Sequence, residues 1–185
     1  MESESRPGAG LGLESGLVRV LAYNPEWPVM FADEADRLVR ALQREGVALV
    51  LEHSGSTAVR GLDAKPILDM IAGRAAESDR ERIISAIQSA GYDYRGEQEI
   101  PGRDFFRRGS PRQYHLHLTV VGSTFWHEHR AFRDILRAHP DVAARYASLK
   151  HDLAARFPSD REAYTEGKSG FVRSVLERYG SHGTA

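Results

Sequence analysis

The spacing of apolar side chains divides the chain into short blocks. Over 28–46 (PVMFADEADRLVRALQREG), Phe31, Ala35, Leu38 and Leu42 recur at helical spacing and Gly46 follows as a stop, which predicts a helix. VALVLEHS (47–54) is short, apolar and β-branched and predicts a strand. KPILDMIAG (65–73) predicts a second strand, closed by Gly73 and paired with the first through a connection over 55–64. ESDRERIISAIQSAG (77–91) predicts a helix with Ile83, Ile84 and Ile87 on its buried side and Gly91 at its end. The segment 92–110 alternates aromatics with charges around two turn signals, which fits a hairpin or two short strands. YHLHLTVVG (114–122) predicts another strand. The pattern over 126–157 is helical with a break near AHPD, and Asp160 caps a last helix through Tyr179. VRVLAY (18–23) fits a short strand or an extended lead-in. This order predicts an α+β fold: a small mixed β-sheet with helices packed against it and a C-terminal helical segment.

Composition narrows the class. The 185 residues suit one domain with a proper core. Lys+Arg 25 against Asp+Glu 26 gives no global pull toward nucleic acid or anionic membrane, and no clear nucleic-acid patch emerges. Without cysteine, thiolate metal sites and cysteine nucleophiles are excluded. No apolar run approaches a membrane span. The polar, glycine-rich 1–16 lacks the features of a signal peptide and is expected to be a disordered tail. The folded domain is expected over 17–180, with a frayed end at 181–185. A cytoplasmic location is the default expectation.

Candidate chemistry centres on EHSGSTAVRGLDAKPILDM, 52–70. Gly55 permits a tight turn, and Ser56 and Thr57 add hydroxyls beside exposed amides, so this turn either holds a phosphate or is ordinary turn material. It is not a P-loop. Strand alternation puts Ile67, Asp69 and Ile71 on one face and Leu68 and Met70 on the other. Asp69 in an apolar strand needs a partner: a metal, a cation or water. His115 and His117 share one face of the later strand, where they bind a metal, recognise a phosphate or form a solvated pair. Arg103, Arg107, Arg108 and Arg112 flank that strand as a phosphate clamp or a solvated hairpin. Tyr164 and Lys168 are helical neighbours. Glu128, His129 and Arg133 read as an ordinary charged helix surface.

Taken together, EHSGSTAVRGLDAKPILDM, HLHLTVVG, FRDILRAHPDVAARYASLK and AYTEGKSGFV resemble the GrpB family over residues 18–179. The resemblance implies a nucleotidyltransferase-like fold. In that superfamily a Gly-Ser turn precedes Asp-x-Asp/Glu on the next strand, and a later strand carries a third carboxylate. Gly55 and Ser56 match the turn and Asp69 matches the first carboxylate. Ile71 stands at the second, and His115 and His117 stand on the later strand. Arg60 replaces a proline expected after the turn. GrpB-like domains also occur fused to dephospho-coenzyme A kinase, whose activity this chain, lacking a P-loop, does not carry.

The functional expectation is a divergent nucleotidyl- or phosphotransferase acting on a nucleotide or phosphorylated small molecule. Asp69 and His117 would be catalytic, and Gly55, Ser56, Thr57, Lys65 and Lys168 would hold phosphate. A divalent ion would sit on Asp69, His115 and His117, with Glu52 as reserve acid. The superfamily implies magnesium or manganese, whereas the ligand types suit manganese, iron or zinc. The alternatives are a non-catalytic nucleotide- or phosphate-binding module and a different metal-dependent activity on the same residues.

Overall fold

A computed structural model describes residues 10–180. The expected tail over 1–9 and the frayed end at 181–185 lie outside the described residues. Residues 10–16 do not behave as a tail. Leu11 and Leu13 are buried, and the Gly12 and Leu13 amides donate to the carbonyls of Pro66 (2.7 Å) and Arg112 (2.9 Å). Leu11 joins a cluster with Trp27 and Leu68, so burial of two leucines overrides the polar composition around them.

The elements follow in the order α1 (Trp27–Arg44), β1 (Val50–Ser54), a 3-10 turn (Ser56–Ala58), β2 (Leu68–Arg74), α2 (Arg80–Ser89), β3 (Asp93–Tyr94), β4 (Asp104–Arg108), β5 (Tyr114–Val120), α3 (Thr124–Ala138), α4 (Pro140–Arg156) and α5 (Arg161–Tyr179). One sheet has the order β1-β2-β5-β4-β3. β1 and β2 pair, as expected, and do so antiparallel, and β3–β4 form an antiparallel hairpin. β2 and β5 run parallel at the centre, which makes the sheet mixed. Residues 18–23 supply only an isolated bridge, Leu21 to Ala64, so they are a lead-in and not a strand.

One face of the sheet carries the main core. Leu38 and Leu42 of α1 and Ile83 and Ile87 of α2 pack on Met70, Ala72, Phe106, Leu116 and Leu118. Leu38, Met70 and Leu116 are fully buried, and truncating any of them to alanine costs roughly 2–5 kcal/mol. One buried position on α1 is charged. Glu34 accepts from Arg37 (2.7 Å), Arg108 (2.7 Å) and Tyr92 (2.7 Å), which satisfies its carboxylate inside the core edge.

The helices α3, α4 and α5 cover the other face. Gly73 lies within β2 instead of closing it. A Cβ there would stand 2.8 Å from the Trp126 ring of α3, so a bare backbone is what lets α3 lie close to the sheet. α4 and α5 approach at Gly167, where a Cβ would meet Leu153 at 2.5 Å. Pro140 starts α4 and separates it from α3, because proline supplies no amide to continue the preceding helix. The side chains of Ser123 and Asp160 cap α3 and α5 by accepting from the amides of Trp126 and Ala163.

Candidate ligand cavity and its charged lining

The register of the sheet assembles the site. Ser54 pairs with Asp69, Asp69 with His115, Ile71 with His117, and His117 with Phe105. Directly paired residues share a face, so these side chains all point toward α3–α5. A cavity of about 810 Å³ lies between them and those helices. Gly55, Ser56, Thr57, Lys65, Asp69, His115, His117 and Lys168 all border it. Glu52 does not. Its carboxylate accepts from Arg130 (3.0 Å) and Arg133 (2.8 Å) and ties α3 to β1. The reading of Arg133 as helix surface is therefore corrected: it is buried and also donates to the His53 carbonyl at 2.9 Å. His129 likewise borders the cavity.

The turn is shaped around Asp69. Gly55 adopts φ 69°, the left-handed region that favours glycine, and a Cβ there would lie 2.6 Å from Asp69 Oδ2. Thr57 is buried and shares a 3.0 Å hydrogen bond with His53 Nε2, which fixes the 3-10 turn to β1. Burial pushes the His53 imidazole down to about 4 and keeps it neutral there.

Asp69 Oδ1 lies 3.0 Å from His115 Nδ1. A carboxylate only accepts, so Nδ1 carries the proton and Nε2 the lone pair. Among the described residues, Nε2 of His115 and Nδ1 of His117 are buried with no hydrogen-bond partner. Burial works to raise the Asp69 carboxyl. The His115 hydrogen bond and the nearby His115, His117 and Lys65 outweigh it, holding the group well below the usual carboxylate range. Burial lowers both histidines, and His117 strongly, so both are neutral at neutral pH. His117 packs against Phe105 at 5.0 Å and His129 at 5.9 Å, forming a wall of rings on one side of the cavity.

Three lysines also line the cavity. Lys150 Nζ donates to Ser56 Oγ at 3.0 Å and to the Asp63 carbonyl. Lys65 and Lys168 lie 4.9 and 4.6 Å from the centre of one ring, that of Tyr164. Among the described residues none of the three pairs with a carboxylate: Asp69 is engaged by His115 and Asp63 by His151. Burial, reinforced by Lys168, lowers Lys65 and Lys150 to about 7. Burial, reinforced by Arg161, lowers Lys168 to about 8. Arg103, Arg133 and Arg161 add three more cations to the lining. Alternation along β4 divides the flanking arginines. Arg107 shares a face with Phe105, whereas Arg108 turns to Glu34 on the opposite side.

Lys150 and Arg161 escaped the sequence reading. A signal for Lys150 exists: Tyr-x-x-x-Lys occurs on consecutive helices, as Tyr146/Lys150 and Tyr164/Lys168. Each lysine lies beside its tyrosine ring, Lys150 at 4.8 Å.

The donor set does not fit the expected divalent ion. Among the described residues no group of three or more His, Asp or Glu side chains stands close enough to hold one. Asp69 is committed to His115, Ile71 replaces the second carboxylate and Glu52 is held by arginines. A resident hard divalent ion needs oxygen ligands free to coordinate it. The ligands proposed from sequence share a face but do not form a coordination shell.

A mixed sheet, a Gly-Ser turn leading into a short 3-10 turn and a carboxylate on the next strand define a nucleotidyltransferase-like fold. The Cid1 poly(U) polymerase solved with MgGTP has this fold in common with the chain, at a TM-score of 0.54 and 13% identity over 74% of this chain and 45% of that one. The chain itself belongs to the GrpB family, whose model, described as GrpB protein, matches residues 17–178. GrpB from Enterococcus faecalis superposes with a TM-score of 0.79 at 31% identity, covering 89% of this chain and 98% of that one. A UPF0157 protein of Pseudomonas aeruginosa is 41% identical over 87% of this chain and 67% of its own length. YqkA, a UPF0157 protein of Bacillus subtilis, is 34% identical over 86% of this chain, which spans only 46% of YqkA. Among the described residues no helix is long and apolar enough to cross a membrane.

Proposed function

We propose that the protein binds a nucleotide or another phosphorylated small molecule in this cavity. The phosphate lies at the Gly55–Ser56–Thr57 turn among Lys65, Lys150 and Lys168, and the ring wall of Phe105, His117 and His129 receives a flat apolar group such as a base. The observation that carries this reading is a set of three lysines that line one cavity without carboxylate partners among the described residues, one of them on the Ser56 hydroxyl of the turn. Buried cations are costly unless something answers their charge, and a phosphate answers it. Calorimetric titration with nucleosides and their mono-, di- and triphosphates tests it. Binding confined to the phosphorylated compounds is expected, weakened by Ser56→Tyr. Equal binding of unphosphorylated nucleosides rejects it.

Nucleotidyl or phosphoryl transfer is the second reading, favoured by a carboxylate kept ionised beside that turn. It stands second because a carboxyl held so low is a weak proton acceptor. Release of pyrophosphate or phosphate from a bound nucleotide, lost in Asp69→Asn, is its test. A location in the cytoplasm is compatible with this ligand class.

A further inference from the structure

We infer that Lys65, Lys150 and Lys168 take the electrostatic place of divalent cations, so that the cavity binds the phosphate of its ligand directly, without a metal ion. The inference rests on the phosphate-binding reading above and specifies how that phosphate is held.

Two features point the same way. The anionic side of a metal site is missing. One carboxylate faces the cavity beside the turn, and His115 already hydrogen-bonds it. The paired position on β5 for Ile71 is His117, and Ile71 itself is fully buried. The nearby Glu52 is turned to Arg130 and Arg133. At the same time the cationic side is already filled. Lys150 touches the Ser56 hydroxyl, and Lys65 and Lys168 flank the Tyr164 ring in the same cavity. A divalent ion entering here would meet three lysines, and among the described residues Asp69 and the lining Glu99, Glu128, Glu162 and Glu166 form no group of three ligands to hold it. A phosphate would meet three ammonium groups and a hydroxyl. Three ammonium groups and a hydroxyl can supply phosphate oxygens with positive charge and donors without a metal ion.

Isothermal titration of the intact protein with pyrophosphate decides the matter, run once in chelator and once in excess magnesium or manganese. The affinity in chelator is expected to equal or exceed that in metal, because metal sequesters the anion from the lysines. Lys168→Gln and Lys65→Gln, whose ammonium groups make no hydrogen bond among the described residues, are each expected to weaken binding roughly tenfold or more. Their melting curves show whether the fold survives, and the chelator comparison on the unaltered protein stands whatever those curves show. Binding that appears only with added metal overturns the inference while leaving the phosphate-binding reading intact. Binding in chelator that is indifferent to both lysine substitutions also overturns it. No binding of pyrophosphate or of any nucleotide under either condition overturns both.

Discussion

Asp69 and His115 lie opposite each other in the parallel register of β2 and β5, with Oδ1 of one 3.0 Å from Nδ1 of the other. The carboxylate is 33% exposed at the cavity while the imidazole is buried. A strand aspartate, expected to need a partner, thus finds a neutral imidazole donor.

The first prediction concerns that bond. Burial alone would raise the Asp69 carboxyl, but the bond to His115 and the neighbouring His115, His117 and Lys65 hold it below its ordinary value. A depressed folded pKa means stabilisation that is complete above the unfolded value of about 3.9 and is lost as pH falls through the folded one. Asp69→Asn is expected to cost roughly 1–2 kcal/mol at neutral pH, discounted for exposure to solvent. The gap from the unaltered protein should narrow in acid. Denaturant melts at neutral pH and near pH 3 read it, and a gap that widens in acid contradicts the assignment.

The lysines give two opposed pH trends. Their folded values of about 7, 7 and 8 lie below the unfolded value of about 10.4. Between these values the unfolded chain binds more protons, so the ligand-free protein gains stability as pH rises. A bound anion needs the protonated lysines, so phosphate affinity falls over the same interval. Melting and titration series across this range, each compared with the Lys65→Gln/Lys168→Gln double variant, separate the lysines from other titrating groups. Parallel trends would falsify the charge assignment.

Gly55→Ala acts through Asp69. The new methyl group meets Asp69 Oδ2 at 2.6 Å and must also adopt a positive φ. A loss of about 1–3 kcal/mol is expected, with the His115 ring resonances shifted because its partner moves. Unchanged imidazole signals would show that the turn yields instead of the carboxylate.

Glu52→Gln tests the division between architecture and site. It keeps the shape but removes the charge that holds Arg130 and Arg133 of α3 against β1. The expected cost is about 1–3 kcal/mol in stability, with phosphate affinity changed less than about threefold. A larger change in affinity would return Glu52 to the site.

Local pattern carried most of the fold. The helices and strands were legible because apolar spacing and capping residues such as Asp160 agree with the tertiary structure. That β2 and β5 are neighbours was legible from Asp69, His115 and His117 as one set, but the parallel sense of their pairing was not, because it joins segments 46 residues apart, as Asp69 and His115 are. Of the candidate site, Gly55, Ser56, Asp69 and the two histidines stood out as residue types unusual for their elements. Lys150 did not, since in an exposed-looking helix the only sign of its inward turn onto Ser56 is the Tyr-x-x-x-Lys spacing it shares with Lys168. Leu11 and Leu13 were lost in a glycine-rich run whose composition masked two anchors.

The place of β5 in the sheet has a consequence for biosynthesis. It is threaded between β2 and β4, both of which precede it in the chain. A nascent polypeptide that has emerged only through β4 therefore holds two half-sheets with facing open edges, one of them lined by Leu68, Met70 and Ala72. Open apolar edges invite pairing between chains. The final strand closes this gap and brings the imidazole to the waiting carboxylate in the same act. Chains stalled before residue 114 should accordingly aggregate or recruit chaperones, whereas those released beyond Val120 should not, a contrast that ribosome-arrested fragments of graded length can display.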